Sequence, residues 1–354
     1  MSRKLRIGIS GLNNTDNPGP GIPVIRCLQQ STRFDVEPIG LSYDALEPGI
    51  YMPGMAAASY LMPYPMTGYS NMLERLREIH AQSPLDMILP LLDSELTAYE
   101  RMETPLREMG ISTFLPTASN LDMRSKVNLV SFGRNTNTPV PYSEAVYSIA
   151  QLYAAMARFA YPVVVKGAFY EAKICYTYDD AVKAFSTITA KWGVPAILQQ
   201  FVKGDEYNIA AVGDGTGETL GVVISKKLYI TDKGKGWSGV AIRNHELLEL
   251  ATRVIRHLKW RGALELEMMR AENTGQYLLL EINPRFPAWI YLSAGVGINL
   301  PEMLVRLALG ETPEPQFDYE PGTMFLRYSA DLIMKMDELE RMTIHSSYTT
   351  NGND

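Results

Sequence analysis

Apolar runs alternate with amphipathic segments along the first third of the chain. Three of these segments are strand-like and two are helix-like, in the order 5–10, 22–30, 36–41, 70–82 and 87–91. Strands that alternate with helices predict a parallel sheet covered by helices. We therefore expect a small doubly wound α/β domain at residues 1–118.

The pattern changes near residue 118, where a helix entry leads into a polar loop that marks a domain boundary. Beyond it, apolar periodicity predicts more strands and two amphipathic helices, at 244–259 and 300–309, the second ended by Gly310. An apolar strand ends on Lys166, a position where a lysine is often only a surface residue. The polar stretch 345–354 is expected to fray.

A β-hairpin is predicted at residues 263–285, where two alternating segments flank a short polar turn. Side chains on a strand alternate with period two, so Glu265 and Glu267 share one face of the first strand, and Glu281 and Asn283 share one face of the second. A register centred on the turn places Glu267 opposite Glu281 and Glu265 opposite Asn283.

Facing carboxylates repel, so this hairpin face needs a compensating cation. All-oxygen ligands suit a hard ion such as Mg²⁺ shared with substrate phosphates. Arg285 follows two residues after Asn283 and could reach phosphate oxygens. An ordinary solvated face with surface acids is the alternative interpretation.

Length and charge narrow the class of protein. The 354 residues predict two or three domains, and a formal net charge of −6 without long basic runs argues against nucleic-acid and membrane partners. The two cysteines, Cys27 and Cys175, offer no disulfide framework, and no segment is suited to span a bilayer. These features favour a cytoplasmic protein that acts on small molecules.

The carboxyl edge of the first sheet carries two further candidate features. A glycine- and proline-rich loop follows the first strand, but Val24 stands where the third glycine of a dinucleotide fingerprint would be. Asp93 and Glu95 follow the fourth strand at the same edge, where such sheets bind ligands. They either contact a substrate amine or cap the helix expected to start at Ser94.

An ordered set of residues resembles the motifs of the ATP-grasp superfamily, in its carbamoyl phosphate synthetase and biotin carboxylase-like branch. In chain order the set is Lys126, Lys166, 199–202, Glu206, Glu267 and 281–285. The resemblance covers residues 119–310 and implies a two-lobed α+β fold after the N-terminal α/β domain. The implied segments are a lid subdomain at 119–198, a catalytic subdomain with the metal-binding hairpin at 199–325, and a C-terminal tail at 326–354.

The resemblance also implies ATP with one or two Mg²⁺ ions, or Mn²⁺ in their place. It assigns metal binding to Glu267, Glu281 and Asn283, and contact with the transferred phosphoryl group to Arg285. The implied nucleotide-binding residues are Lys126 and Lys166 for the phosphates, Gln199, Gln200, Phe201 and Val202 for adenine, and Glu206 for the ribose.

Two loops depart from the family pattern. The segment 166–176, which should be a glycine-rich lid, has only one glycine, so Lys173, next to Glu171, is a candidate phosphate contact. The segment 226–239 resembles a mobile substrate loop.

From that second segment, Lys226 or Lys227 could bind the acceptor or the acyl phosphate, together with Arg243. An exposed basic loop is the alternative. Phe286, Trp289 and Tyr291, which follow Arg285, either line a substrate pocket or belong to the core, and we expect at least one in the core.

The predicted activity is ATP-dependent ligation of a small-molecule carboxylate to an amine through an acyl phosphate, with release of ADP and phosphate. The alternatives are a carbamoyl phosphate synthetase-like phosphorylation of a small carboxylate or carbamate, and a catalytically silent nucleotide-binding protein. A homodimer is a further expectation.

Overall fold

The computed structural model describes residues 4–15, 17–168, 171–230 and 236–350. The chain divides into two compact units. The first consists of Met1–Ala118, Ile209–Glu265 and Asn283–Asp354, and the second of Ser119–Asn208 and Leu266–Ile282. The break after Ala118 falls where the sequence analysis placed it. Residues of both 199–325 and 326–354 contribute to the first unit, and the predicted segment boundaries themselves stay a prediction.

The first unit begins with a sheet whose four N-terminal strands run parallel, as predicted. Apolar side chains of the first strand, such as Ile7 and Ile9, are fully buried and fill the core beneath it. The elements are β1 Lys4–Ser10, α1 Gly21–Gln29, β2 Asp35–Ser42, β3 Ala58–Leu61, α2 Tyr69–Gln82, β4 Met87–Leu89 and α3 Asp93–Glu108, with short 3₁₀ turns at Pro48–Ile50 and Pro65–Thr67.

The C-terminal stretch completes this sheet, so the expectation that residues 345–354 fray was wrong over the residues described. A helix, α11 Met336–His345, leads into β15 Ser347–Thr349, which pairs antiparallel with β3 and gives the order β15-β3-β2-β1-β4. An unpaired strand edge offers backbone donors and acceptors to any extended segment. That edge overrides the weak strand propensity of a polar tail.

The second unit contains a four-stranded antiparallel sheet in the order β5-β8-β6-β7. Val163 and Val165 alternate into its core, which leaves Val164 and Lys166 on the opposite face. The elements are α4 Ala118–Met123, α5 Leu129–Thr136, β5 Ser143–Val146, α6 Ile149–Met156, β6 Val163–Gly167, β7 Ala172–Cys175, α7 Tyr178–Trp192 and β8 Ala196–Gln200.

A third sheet has six strands in the order β13-β12-β9-β10-β11-β14. The predicted hairpin is confirmed, since its two strands are β12 and β13, and Gly275 closes the turn with φ +70° and an N–H bond to the Ala271 oxygen at 2.8 Å. The strands are β9 Gly204–Asp214, β10 Thr219–Ile230, β11 Gly236–Ile242, β12 Arg261–Ala271, β13 Tyr277–Asn283 and β14 Met324–Leu326.

The remaining helices are α8 His245–Leu258, α9 Tyr291–Gly295 and α10 Leu300–Ala308. The first and last confirm the two predicted amphipathic helices. Asn244 caps α8 by accepting from the Leu247 N–H at 2.9 Å, and Gly310 follows α10 with φ +81°. In the part of the chain described, no helix is both long enough and apolar enough to cross a membrane.

Candidate functional site

Five charged side chains of the second unit converge around the amino group of Lys166. Burial lowers the pKa of this lysine, and the charge of Lys126 lowers it further. The carboxylates of Glu281, Glu267 and Glu206 oppose that shift. Because such electrostatic effects fall off with distance, the five side chains must lie near one another. Residues that are far apart in the sequence are thereby brought together as predicted.

One ion pair in this cluster is direct. Lys126 Nζ lies 3.2 Å from Glu281 Oε1, and the two side chains are only 13% and 22% exposed. A pair that is this far withdrawn from water interacts more strongly than an exposed pair on the surface. Two lysines and two hairpin carboxylates together can hold a polyphosphate with a divalent ion.

The donor chemistry fits Mg²⁺ shared with phosphates. No three His, Cys, Asp or Glu side chains of the described chain are placed to hold a metal ion by themselves. Mg²⁺ in phosphate-binding sites usually takes one or two carboxylates and completes its shell with phosphate oxygens and water. Glu267 and Glu281 meet that requirement. For the predicted third ligand, Asn283, the structure records that Nδ2 donates to Glu265 Oε2 at 3.1 Å.

The predicted adenine segment lies at the end of β8. Gln199 is buried, and its Nε2 donates to Ser143 Oγ at 3.0 Å, while the Gln200 N–H donates to the Tyr142 oxygen at 2.8 Å. These two groups are therefore committed to contacts within the unit, which argues against their direct use in reading adenine. Phe201 and Val202 follow the strand and are partly buried.

The shortened lid is a tight hairpin of β6 and β7. Lys173 is exposed and pairs across the hairpin with Val165. Glu171 forms an ion pair with Lys191 of α7, so the sequence-based view of Glu171 as the partner of Lys173 needs correction. Residues 169–170, part of the predicted lid, lie outside the described residues.

In the first unit, Glu265 is the centre of a second polar cluster. Its carboxylate is 4% exposed and accepts from Asn283 Nδ2, from Trp289 Nε1 at 2.9 Å and from Arg285 Nη1 at 3.4 Å. Arg285 also donates from Nε to Asp93 Oδ2 at 2.8 Å. The Glu265–Asn283 contact agrees with the predicted hairpin register, and Arg285 is held in position by two carboxylates.

A residue that the sequence analysis did not identify, Arg327, faces this cluster. Its guanidinium lies 5.8 Å from the centre of the Phe325 ring, and Phe325 in turn stacks on Trp289 at 6.4 Å. Burial lowers the pKa of Arg327, and the charge of Glu265 partly restores it. A desolvated guanidinium beside an aromatic floor suits a planar anion. No local sequence pattern marks Arg327, which follows a three-residue strand.

Strand pairing separates the two lysines of the predicted substrate loop. Lys227 pairs with Gly239, which pairs with Phe325, whereas Lys226 pairs with Val240 and then Met324. Residues in one row share a face, and neighbouring rows alternate. Lys227 is therefore on the face of Phe325, and Lys226, the lysine we had assigned to catalysis, is on the other face.

The segment predicted as a mobile loop, 226–239, consists of the end of β10 and the start of β11 wherever it is described. Residues 231–235 lie outside the described residues. Arg243, directly after β11, donates from Nε to the Tyr319 oxygen at 2.7 Å and from Nη2 to Asp318 Oδ1 at 2.6 Å. Its predicted role in acceptor binding would require these contacts to open.

The structure decides between the two uses proposed for the acids at the edge of the first sheet. Glu95 is fully buried and accepts from the N–H groups of Leu91 and Leu92 at 2.7 and 2.9 Å, so it caps α3. Asp93 instead pairs with Arg285. Farther on, Phe286 and Trp289 lie in the core of the first unit, which confirms the expectation for at least one aromatic residue.

Comparison with known proteins agrees with this architecture. Residues 193–327 match the family model described as ATP-grasp in the biosynthetic pathway with Ter operon. The carbamoyl phosphate synthase large chain of Methanothermobacter thermautotrophicus is 25% identical over 283 residues, which cover 66% of this chain and 25% of that protein. The chain thus spans about a quarter of the length of this relative.

Three solved structures share the fold. The biotin carboxylase domain of the Hydrogenobacter thermophilus 2-oxoglutarate carboxylase, solved with MgADP and bicarbonate, superposes with a TM-score of 0.66 at 16% identity, over 87% of this chain and 70% of that one. The L-amino acid ligase from Bacillus licheniformis gives 0.63 at 16%, over 88% and 75%. The N5-carboxyaminoimidazole ribonucleotide synthetase from Thermus thermophilus gives 0.66 at 18%, over 90% and 81%.

Proposed function

The chain contains an ATP-grasp domain, and from this premise we propose that it joins a small-molecule carboxylate to an amine at the expense of ATP. The observation that carries the proposal is the convergence of Lys126, Lys166, Glu267 and Glu281 in the second unit. Cations for phosphate oxygens and carboxylates for a hard metal ion are what a nucleotide-dependent phosphoryl transfer requires.

The nucleotide is assigned to these residues. Lys126 and Lys166 contact the phosphates, and Glu206 accepts from the ribose hydroxyls. Glu267 and Glu281, with Asn283, hold Mg²⁺, which neutralises charge on the phosphate oxygens when it is bound. Lys126 must then exchange Glu281 for a phosphate oxygen, so the ion pair keeps both groups in place before the nucleotide arrives.

The reaction has two steps. A carboxylate oxygen of the substrate attacks the γ-phosphorus of ATP, the bond to the ADP oxygen breaks, and an acyl phosphate forms. The amine nitrogen then attacks the acyl carbon, and inorganic phosphate leaves with the electron pair of the broken C–O bond. Both steps depend on positioning and charge neutralisation rather than on a protein nucleophile.

The first unit supplies the anchor for the carboxylate. Arg285 is already paired with Asp93 and Glu265, so it presents a fixed guanidinium edge for the transferred phosphoryl group. Arg327, with Phe325 beneath it, binds the substrate carboxylate in this proposal. Two guanidinium groups allow planar, bidentate recognition that lysines do not provide.

The partners in this proposal are small molecules, and a cytoplasmic location and a homodimer remain expectations. The test is ADP release from purified protein with ATP and Mg²⁺ against amino acids singly and in pairs, with products identified by mass spectrometry. ADP that depends on a pair and accompanies a condensed product supports the ligase. ADP that needs the carboxylate alone favours the phosphorylation alternative, and nucleotide binding without turnover identifies a silent protein.

A further inference from the structure

Glu95 ties together the ends of three parallel strands. The Ser10 hydroxyl at the end of β1 donates to it, and so does the Tyr43 hydroxyl directly after β2. The N–H groups of Leu91 and Leu92, just beyond β4, donate as well. Ligands of parallel α/β sheets bind outside this carboxyl edge. A carboxylate that bridges the strand ends is therefore close to where a substrate of this unit would lie.

No cation is among the described groups that face Glu95. These groups are Ser10 from β1, Tyr43 with Glu47 behind it from the segment after β2, Tyr99 from α3, and the two backbone donors. Burial raises the pKa of Glu95 to about 7, although its hydrogen bonds pull the value back down. A carboxylate in this range accepts and releases a proton near neutral pH.

Tyr43 connects this buried carboxylate to the surface. Glu95 itself is inaccessible, but Tyr43 is partly exposed, and its ring stacks on the exposed Tyr64 at 6.1 Å. Burial and the nearby charge of Glu95 raise the pKa of Tyr43, so a free phenolate does not form near neutral pH. Its hydroxyl can pass a proton only by receiving one as it gives one up.

The same helical turn carries the link to the Arg285 cluster. Asp93 and Glu95 both lie in the first turn of α3, and Asp93 is the residue that pairs with Arg285. An amine that approaches an acyl group held at Arg285 would thus come from the side on which Tyr43 lies. All of these residues belong to the first unit.

We propose that Tyr43 and Glu95 form a proton relay that deprotonates the attacking amine. The inference rests on the proposed ligase function. As the nitrogen lone pair forms the C–N bond and the C–O bond to phosphate breaks, the proton on nitrogen moves to the Tyr43 oxygen. The original Tyr43 proton moves at the same time to the Glu95 carboxylate, and it returns to solvent by the same route after the product leaves.

The test compares two nucleophiles in one enzyme. Hydroxylamine reacts with acyl phosphates in its neutral form near pH 7, whereas an ordinary amine must lose a proton, so hydroxamate formation reports the acyl phosphate independently of the relay. Tyr43→Phe keeps the ring on Tyr64 and removes only the hydroxyl. We expect the ratio of amide to hydroxamate product to fall about 100-fold, the size of a general-base contribution. The limb of the pH–rate profile near pH 7 should disappear with it.

Tyr64→Phe is the matched control, because it removes the other hydroxyl of the stacked pair and should leave the ratio and the profile as in the wild type. Glu95→Gln, checked for folding by circular dichroism, should lose the same limb. A Tyr43→Phe enzyme with the wild-type ratio and profile overturns the relay while leaving the ligase intact. A wild-type enzyme that forms no hydroxamate with any carboxylate overturns the proposed function, and the relay with it.

Discussion

Lys126 Nζ lies 3.2 Å from Glu281 Oε1, and both side chains act on the amino group of Lys166. Lys126 precedes the four-stranded sheet, and Glu281 lies on the second strand of the hairpin, so the pair closes a long loop of the second unit. Each partner has a different proposed ligand, phosphate for the lysine and metal for the carboxylate. The pair therefore marks the point where nucleotide and metal would meet.

Glu281→Ala should abolish Mg²⁺-dependent ATP turnover. The substitution removes one of two hairpin carboxylates and leaves Lys126 without this partner, so we expect kcat to fall at least about 100-fold, since metal-mediated charge neutralisation contributes several kcal/mol. Steady-state ADP release over a Mg²⁺ titration measures the loss.

The matched control for this substitution is Glu272→Ala. Glu272 lies in the turn of the same hairpin, pairs with Lys203 and is 63% exposed. Its loss should change the free energy of unfolding by no more than about 0.5 kcal/mol and leave turnover unchanged. Wild-type rates in the Glu281→Ala variant would sink the assignment of the metal site.

Lys166 should make both stability and ATP binding depend on alkaline pH. Its pKa is lower in the folded than in the unfolded protein, because burial disfavours the charged form. Between the two pKa values the folded state binds fewer protons, so the contribution of Lys166 to folding stability rises with pH through that window. ATP affinity should fall across the same window, because the neutral amine attracts phosphate less.

Calorimetric titration of ATP at a series of alkaline pH values measures the second effect. Lys166→Met should bind ATP more weakly and lose the pH-dependent limb. Lys183→Met, which changes an exposed lysine on α7, is the control and should keep both affinity and limb. A Lys166→Met protein with an unchanged pH profile would remove this lysine from the phosphate site.

The hairpin could be predicted because its information is local. Period-two alternation fixes which side chains share a face, and Glu265 and Asn283 meet as the register required. The order of Lys126 and Lys166 before the hairpin also sufficed to expect their approach, because the resemblance to a known family supplied the long-range pairing that periodicity lacks.

Other features depend on contacts that no local pattern encodes. Arg285 pairs with Asp93, 192 residues earlier, and this pairing exists only because the two lie in one folded unit. The burial of Arg327 beside Phe325 likewise depends on the neighbouring chain. The choice between Lys226 and Lys227 required the strand register, because a shift by one residue exchanges the two faces.

Arg327 should control the affinity for the carboxylate substrate. Arg327→Met removes the guanidinium but keeps an apolar side chain against Phe325, and we expect KM for the carboxylate to rise about 10- to 100-fold, equivalent to one charge-assisted bidentate contact. Arg327→Lys keeps the charge and should recover only part of the affinity, because an ammonium cannot match the planar fork.

Steady-state kinetics at saturating ATP, with the carboxylate varied, separates this effect from nucleotide binding. Arg341→Met is the control, since Arg341 lies on α11, where it contacts Asp337 at 3.4 Å, and is 52% exposed. If KM for the carboxylate is the same in Arg327→Met and the wild type, the carboxylate anchor lies elsewhere.

The strand β15 should stabilise the N-terminal sheet through Tyr348. The Tyr348 ring lies 5.2 Å from that of Tyr51 in an edge-on arrangement, and its hydroxyl donates to Glu338 Oε1 at 2.8 Å. Tyr348→Ala should lower the free energy of unfolding by about 2 kcal/mol, less than a fully buried aromatic residue because the side chain is partly exposed. Tyr348→Phe keeps the ring and should cost about 1 kcal/mol or less.

Urea unfolding followed by far-UV circular dichroism measures both values. Tyr328→Ala is the control on the same C-terminal segment, because Tyr328 is 77% exposed, and we expect a change within about 0.5 kcal/mol. Equal stabilities for Tyr348→Ala and Tyr328→Ala would mean that β15 lies on β3 without anchoring it. A larger loss for Tyr348→Ala would show that the C-terminal strand is part of the cooperative core, since the tail then unfolds only with the sheet.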